Sequence, residues 1–302
     1  MKYVVTGGAG FIGSNLVDKL IEKKNEVCVI DNFSTGKKEN CNPNAEYHNL
    51  DISKTKNISK IKELLLGCHS VFHCAALARV QPSIKNPIKY EINNTIGVIN
   101  MLKSSVDSKV KRFVYSASSS AYGPTEDFPS SEDNIPNPIS PYANQKYYGE
   151  LCCRMFNKVY GLETVSLRYF NVYGERQNLG GAYATVVGIF LKQKLDNVPF
   201  TINGNGNQRR DFTYVGDVVN ANILASSSSN VGEGEAINIG AGKNYSINEL
   251  AEMIGGIKEH LEPVNEPFQN LADITKAKKV LNWEPKIEIS DWIKRYKISM
   301  ET

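Results

Sequence analysis

The sequence has no long hydrophobic run, no paired cysteine motif and no marked excess of charge of either sign. No stretch reaches the roughly 18 apolar residues that a membrane-spanning helix needs. The first residues enter a strand pattern at once, which leaves no room for a signal peptide. Lys and Arg number 35 against 32 Asp and Glu, a net charge of +3, and the two signs are intermixed. That pattern argues against nucleic acid as a partner. The six cysteines, Cys28, Cys41, Cys68, Cys74, Cys152 and Cys153, contain no CxxC, and four lie in apolar strand or helix patterns. A free thiol there is a small hydrophobe, which fits a reducing cytoplasm. Cys152 and Cys153 are neighbours, so on a helix they point to different faces. No two of the four histidines have ligand spacing, so no metal is expected. What remains is an ordinary composition for a soluble globular protein: 41% hydrophobic and 22% charged residues over 302. That length can bury a large core in one domain or two.

Against this plain background the N-terminus stands out. Tyr3 to Thr6 reads as a buried strand, and Phe11, Ile12, Leu16, Val17 and Leu20 then recur at helical spacing. Between them Gly7, Gly10 and Gly13 stand three apart. The first allows a turn of free φ, the second lets backbone approach a pyrophosphate, and the third lets helix pack closely on strand. The start of the following helix offers unpaired N–H groups and partial positive charge to a diphosphate. A glycine-rich turn alone also suits a mere tight loop. The next strand, Glu26 to Ile30, decides between the two, because it ends in Asp31-Asn32. An acid about twenty residues after such glycines accepts from the adenosine ribose hydroxyls. It would repel a 2′-phosphate, so NAD is expected rather than NADP.

Strand-like runs at 2–6, 26–31, 45–49, 69–74 and 111–117 alternate with helical stretches near 11–24, 55–66 and 85–107. A further helix covers 141–160 and a strand follows at 162–168. This rhythm means an α/β fold with a doubly wound parallel sheet. Beyond it, loops rich in Gly, Asn and Gln join helices near 183–194, 214–226, 246–255, 274–281 and 289–298. The chain thus divides into an NAD-binding domain over 1–170, with core elements added from about 210–240, and a mainly substrate-binding lobe over 171–302.

The strand at 111–117 runs into Ser116-Ala117-Ser118-Ser119-Ser120-Ala121-Tyr122-Gly123, at the end of the sheet where ligands bind. Such serines also commonly cap their own loop. Next, Ser140-Pro141-Tyr142 opens a helix with Pro141 in its first turn, placing Tyr142 and Lys146 on one face. A free tyrosine titrates near ~10, too high for a base in neutral water. A neighbouring ammonium and a cationic nicotinamide would favour its phenolate. Tyr and Lys at this spacing are often plain helix surface; their place after a serine strand end in an NAD-binding pattern makes them an acid–base pair.

Together these motifs resemble the extended short-chain dehydrogenase/reductase family, and within it the nucleotide-sugar 4-epimerases. The likeness runs through almost the whole chain. It includes Thr6 to Ser14, Leu50-Asp51-Ile52, His73-Cys74-Ala75-Ala76 and Asn94-Thr95-Ile96-Gly97. It continues through the serine loop, Tyr142 with Lys146, Leu167 to Gly174, and Arg210-Asp211-Phe212. The resemblance implies a Rossmann-like sheet with a smaller C-terminal α/β substrate lobe. It implies that Asp51 and Ile52 flank the adenine, that Ala75 and Ala76 line the dinucleotide, and that Asn94 steadies the sheet end. Ser118 would complete a catalytic trio with Tyr142 and Lys146, and Phe170 would back the nicotinamide. Asn171 and Arg210 would meet the substrate's diphosphate. A lone guanidinium in a loop after a strand also suits phosphate on its own chemistry, whereas Arg209 reads as a solvated loop charge.

The reaction so implied inverts C4 of a UDP-hexose. Tyr142 would take the 4-hydroxyl proton as C4 gives hydride to NAD, Ser118 would hold that hydroxyl, and Lys146 would hold the nicotinamide ribose. The 4-keto sugar would then turn about its diphosphate and take hydride back on its other face. Sugar 4,6-dehydratases place an Asp-Glu pair where this chain has Ser119 and Ser120, and hydroxyls cannot do that acid–base work near neutral pH. UDP-glucuronate decarboxylases carry a Glu in that loop, absent here, and remain the alternative. A non-catalytic NAD sensor would have lost Tyr142 or Lys146. In place of the family's second diphosphate arginine this chain has Pro263-Val264-Asn265-Glu266. Asn270, just before Leu271-Ala272-Asp273, falls where the C2 substituent is sized, so both plain and N-acetylated UDP-hexoses are expected substrates. Family dimers pack helices equivalent to 85–107 and 141–160, so a homodimer is expected.

Overall fold

The computed structural model describes residues 1–181, 183–264 and 267–301. In chain order its elements are β1 (Lys2–Thr6), α1 (Phe11–Glu22), β2 (Glu26–Asp31), β3 (Glu46–Asn49), α2 (Ile58–Leu65), β4 (Ser70–His73), α3 (Val80–Lys85), α4 (Pro87–Glu91), α5 (Gly97–Asp107), β5 (Arg112–Ser118), α6 (Pro141–Tyr160) and β6 (Glu163–Tyr169). There follow β7 (Val172–Tyr173), α7 (Val186–Leu195), β8 (Phe200–Asn203), β9 (Arg209–Asp211), β10 (Thr213–Tyr214), α8 (Val215–Ser227), β11 (Glu233–Ile239), β12 (Asn244–Ser246), α9 (Ile247–Ile254), β13 (Lys258–Leu261), α10 (Thr275–Leu281) and α11 (Ile289–Glu301).

Seven strands make the central sheet in the order β11-β6-β5-β4-β1-β2-β3, every neighbouring pair parallel. Helices cover both faces, which is why β1 carries Val4 and Val5 at full burial rather than alternating. Chain order runs outward through β2 and β3 on one side of β1, and through β4, β5 and β6 on the other. The crevice at the carboxyl ends of β1 and β4 is therefore the switch point where such sheets bind ligands. The seventh strand, β11, comes from beyond residue 170, and α8 packs against α1.

The stretch 85–107, read from sequence as one helix, is segmented. Pro87 opens α4 and disfavours helical backbone at Asn86 (φ −136°), so α3 ends there. A π-helical turn, Ile92–Ile96, then joins α4 to α5 and carries the buried Asn94. By contrast α6 occupies its expected span. Ser140 caps it by accepting from Ala143 N at 3.2 Å, and Gly161 closes it in left-handed conformation. The C-terminal lobe is assembled from short two-stranded pieces, β7 with β10, β9 with β12 and β8 with β13. Its own core includes Phe190 stacked on Phe200 at 4.8 Å and Trp292 against Tyr173 at 5.3 Å.

Candidate active site

A single cleft of about 1120 Å3 runs from the glycine turn to the C-terminal lobe. At its first end, Gly7 turns with φ +72°, and a Cβ there would sit 2.7 Å from Ala75 N. A Cβ on Gly13 would stand 2.2 Å from Gly7 O, so only glycine lets α1 start this close to the turn. The Asp31 carboxylate accepts from Ala9 N at 3.0 Å and Phe33 N at 2.8 Å, which fixes it at the end of β2 facing the cleft. A glycine cradle at a helix start with a fixed acid beyond it fits a dinucleotide. Gly10, Phe11, Ile12, Asn32, Asp51, Ile52, Ala75 and Ala76 all line the same wall. Asn94 does not: it is buried behind the wall, where its amide takes Leu77 N at 2.8 Å and gives to Leu77 O at 3.0 Å. It holds the end of the β4 loop rather than facing the cleft.

Ser118, Tyr142, Lys146 and Phe170 meet at the middle of the cleft. Ser118 starts a short turn and accepts from Ser120 N and Ser120 Oγ at 3.2 and 2.9 Å. Burial pushes the Tyr142 phenol above its ordinary value, while its hydrogen bond with Ser118 and the positive charge of Arg79 pull it down. Lys146 donates to Ser116 O at 2.7 Å, and burial lowers its ammonium to about 8. It therefore still carries its charge near neutral pH, held to the end of β5. Phe170 is fully buried against Tyr122, 6.2 Å between rings. Beneath them His73 is neutral, lowered to about 3 by burial, with Nδ1 3.0 Å from Thr6 Oγ1.

At the far end the cleft is lined by Asn171, Arg210 and Asn270. Asn171 Nδ2 donates to Asp211 O at 2.7 Å and to Asn270 Oδ1 at 3.2 Å. Asn270 Oδ1 also accepts from Asp211 N at 2.8 Å. The Asp211 carboxyl is raised to about 7 by burial although it accepts from Ala241 N, Gly242 N and Ala272 N. Arg210 Nη1 donates to Arg209 O and Phe268 O. Arg209 is not the solvated charge its loop suggested. It donates from Nε to Asn244 Oδ1 at 2.9 Å, pairs with Glu249 at 3.1 Å and braces β9 against β12. Of the segment that replaces the family's second arginine, Pro263 and Val264 are described, Val264 on the cleft wall, while Asn265 and Glu266 lie outside the described residues.

Tyr183, in the stretch Gln177 to Thr185 expected to border the nucleoside, lines the cleft, whereas Arg79 on the same wall escaped the sequence reading. Arg79 sits three residues after the Ala75-Ala76 pair, and the only signal it gave was a cation in an otherwise apolar strand end. A group of potential metal ligands, Cys28, Glu46 and His48, lies between β2 and β3, off the cleft. Burial pushes the Cys28 thiol up to about 11, which works against its ligating form.

The chain is similar to known enzymes over nearly its whole length. A UDP-glucose 4-epimerase from Lactobacillus helveticus is 35% identical over 96% of this chain and 94% of its own length. The crystal structure of a UDP-glucose 4-epimerase from Thermotoga maritima with UDP-glucose is 40% identical, with a TM-score of 0.93 and all of both chains covered. A UDP-N-acetylglucosamine 4-epimerase from Methanobrevibacter ruminantium, in complex with UDP-N-acetylmuramic acid, is 35% identical at a TM-score of 0.91, covering 99% of this chain and 98% of that one. The model of the NAD dependent epimerase/dehydratase family matches residues 3–240, and the chain belongs to that family.

Proposed function

We propose that the protein is a UDP-hexose 4-epimerase that works with NAD through a transient 4-keto sugar. The observation that carries the reading is the convergence of Ser118, Tyr142 and Lys146 on one cleft between a dinucleotide cradle and the Arg210 end. The chemistry that bound NAD would supply is a reversible acceptor for the C4 hydride. Tyr142 as phenolate takes the 4-hydroxyl proton and later returns it, and Ser118 holds that hydroxyl in line. Lys146, anchored on Ser116 O, is placed for the ribose of the cofactor. Gly7, Gly10 and Gly13 would give backbone to the pyrophosphate, with Phe11, Ile12, Asp31, Asn32, Asp51, Ile52, Ala75 and Ala76 holding the adenosine half and Phe170 the nicotinamide. Asn171 and Arg210 hold the substrate's diphosphate end while the sugar turns. Ser119 and Ser120 stand where a dehydratase needs two acids, and no acid of that loop lines the cleft. Proton NMR of the anomeric signals tests the reading: UDP-galactose without added NAD converts to UDP-glucose. A sugar unchanged even with NAD supplied would sink it and make UDP-glucuronate decarboxylation the next reaction to assay.

Asn270 is proposed to size the C2 pocket, which admits N-acetylated and plain sugars alike. An Asn270→Tyr variant also removes the acceptor for Asp211 N, so some stability is lost. The specific outcome is a ratio: turnover of UDP-N-acetylgalactosamine falls at least about tenfold more than turnover of UDP-galactose, a difference of roughly 1.4 kcal/mol. Equal losses would refute the pocket assignment.

A homodimer is proposed through one apolar face. Tyr148, Leu151, Met155 and Val159 of α6 are 39%, 41%, 43% and 63% exposed, and Ile88 and Ile92 beside them are 76% and 41% exposed. Contiguous exposed apolar surface of this kind marks an interaction site. A Leu151→Asp, Met155→Asp variant is expected to sediment as a monomer while the parent sediments as a dimer. No helix of the described residues is long and apolar enough to cross a membrane. A reducing cytoplasm is the proposed compartment, on six cysteines all free and four of them buried.

A further inference from the structure

Arg79 is a cation without an acid. It lies in the loop between β4 and α3, on the wall of the cleft, and among the described residues no carboxylate pairs with it. Among the described residues its side-chain hydrogen bond runs from Nε to Tyr183 O at 3.1 Å, across to the opposite lobe. Arg79 itself lines the cleft. Even half-buried, an arginine without a counter-ion is costly, and here the backbone adds strain. Arg79 has φ +82°, a conformation that a side-chain-bearing residue rarely adopts.

The surroundings are built to hold that conformation. Asn94 fixes Leu77 at both its N–H and its carbonyl. Tyr90 donates to Ala78 O at 2.5 Å. On the other side Ser83 donates to Val80 O at 2.6 Å and accepts from Tyr142 N at 3.1 Å. The residues flanking Arg79 are thus tied to the helix that carries Tyr142, and the charge of Arg79 acts on the Tyr142 phenol itself. Arg79 and Tyr142 line the same cleft and their segments are joined through Ser83, so with Tyr142 at the C4 oxygen the Arg79 segment borders the sugar end. Arg210, the diphosphate candidate, is fixed elsewhere, against Arg209 O and Phe268 O.

We propose that Arg79 reads a carboxylate carried by the sugar next to C4, so that this site accepts anionic UDP-sugars as well as neutral ones. The inference rests on the epimerase reading for the pose of the sugar. Two sources supply the chemistry: the C6 carboxylate of a hexuronic acid, and a carboxylate borne on the substituent at O3. In either case the carboxylate is a spectator. The proton still passes between O4 and Tyr142, and the hydride leaves and returns at C4. A planar guanidinium is suited to grip a carboxylate with two parallel hydrogen bonds.

The test is binding, measured by calorimetry on NAD-loaded protein in a Tyr142→Phe background that suppresses turnover. The probes are UDP, UDP-glucose, UDP-glucuronate and UDP-N-acetylmuramate. At least one of the two acids is expected to bind about 10- to 100-fold more tightly than UDP-glucose, as charge-assisted pairs in a dry site do. Whichever shows the gain identifies the side of the ring that Arg79 faces. Arg79→Gly, which also relieves the positive φ and so folds readily, is expected to abolish the difference, and Arg79→Lys to keep part of it. Equal affinities for acid and neutral sugars in the parent would overturn the proposal. So would an Arg79→Gly loss of the same size on UDP alone, which would place the guanidinium on the diphosphate. Failure of the epimerase reading shows elsewhere, as inert UDP-galactose with Tyr142 intact.

Discussion

Tyr142→Phe is expected to slow 4-epimerisation by about 10²- to 10⁴-fold, the range a positioned general base supplies. Ser118 and Arg79 act on the phenol, and among the described residues no carboxylate is one of the groups that do. Removing one oxygen leaves the ring, the helix cap at Ser140 and the Lys146 anchor on Ser116 O in place. NAD content of the purified variant is therefore expected to match the parent, and anomeric NMR then reads the chemical step alone. The pH dependence follows from the same environment. The active form is the phenolate, so activity rises with pH and is lost as pH falls through the phenol's pKa. Burial moves that pKa upward, Ser118 and Arg79 move it down, and the positive nicotinamide of NAD would lower it further. Ser118→Ala removes one of the lowering contributions, so its acidic limb should shift to higher pH. A variant Tyr142→Phe that turns over at more than a tenth of the parental rate would remove the tyrosine from the chemistry.

Much of this site was legible because its residues act through local spacing. Gly7, Gly10 and Gly13 stand in one turn, Asp31 at the next strand end, and Tyr142 and Lys146 one helical turn apart, so sequence distance and spatial role coincide. The span of α6 could be read from Ser140, Pro141 and Gly161, since a cap, a first-turn proline and a left-handed glycine each fix backbone locally. The helix near 85–107 shows where that reading stops. Its apolar spacing is continuous, but Pro87 breaks the backbone and the π-helical turn at Ile92–Ile96 rotates Asn94 inward. Arg79 and Arg209 were illegible for a different reason. Their meaning lies in partners far along the chain, Tyr183 O for Arg79 and Asn244 with Glu249 for Arg209. The bridge from Asn171 and Asp211 to Asn270 is of the same kind. No periodicity within one segment encodes such a contact. The C-terminal lobe is built almost wholly of them.

The largest expected loss of stability lies under the site rather than in it. Glu150 on α6 and Arg168 on β6 form a two-point ion pair, Nε to Oε1 at 3.0 Å and Nη2 to Oε2 at 2.7 Å, with both side chains 3% exposed. Burial pushes the Glu150 carboxyl up, but the bidentate guanidinium holds the pair in its charged form. The guanidinium also lies over the Tyr122 ring, 4.7 Å from its centroid, and Tyr122 packs on Phe170. Glu150→Ala strands a buried charge, and Arg168 Nη1 already lacks a partner among the described residues. The expected cost is about 3–5 kcal/mol in denaturant unfolding, measured at one fixed NAD concentration because bound cofactor itself stabilises the fold. Replacing both partners, Glu150→Leu with Arg168→Met, should recover most of that loss, since the penalty belongs to the stranded charge and not to the missing pair. The exposed Lys19–Glu22 pair, 43% and 67% accessible, provides the contrast: Glu22→Ala is expected to change stability by no more than about 1 kcal/mol. If Glu150→Ala costs no more than Glu22→Ala, the charge is being solvated in a way this packing does not allow. If the double replacement is as damaging as the single one, shape and not charge is what α6 and β6 share at this point.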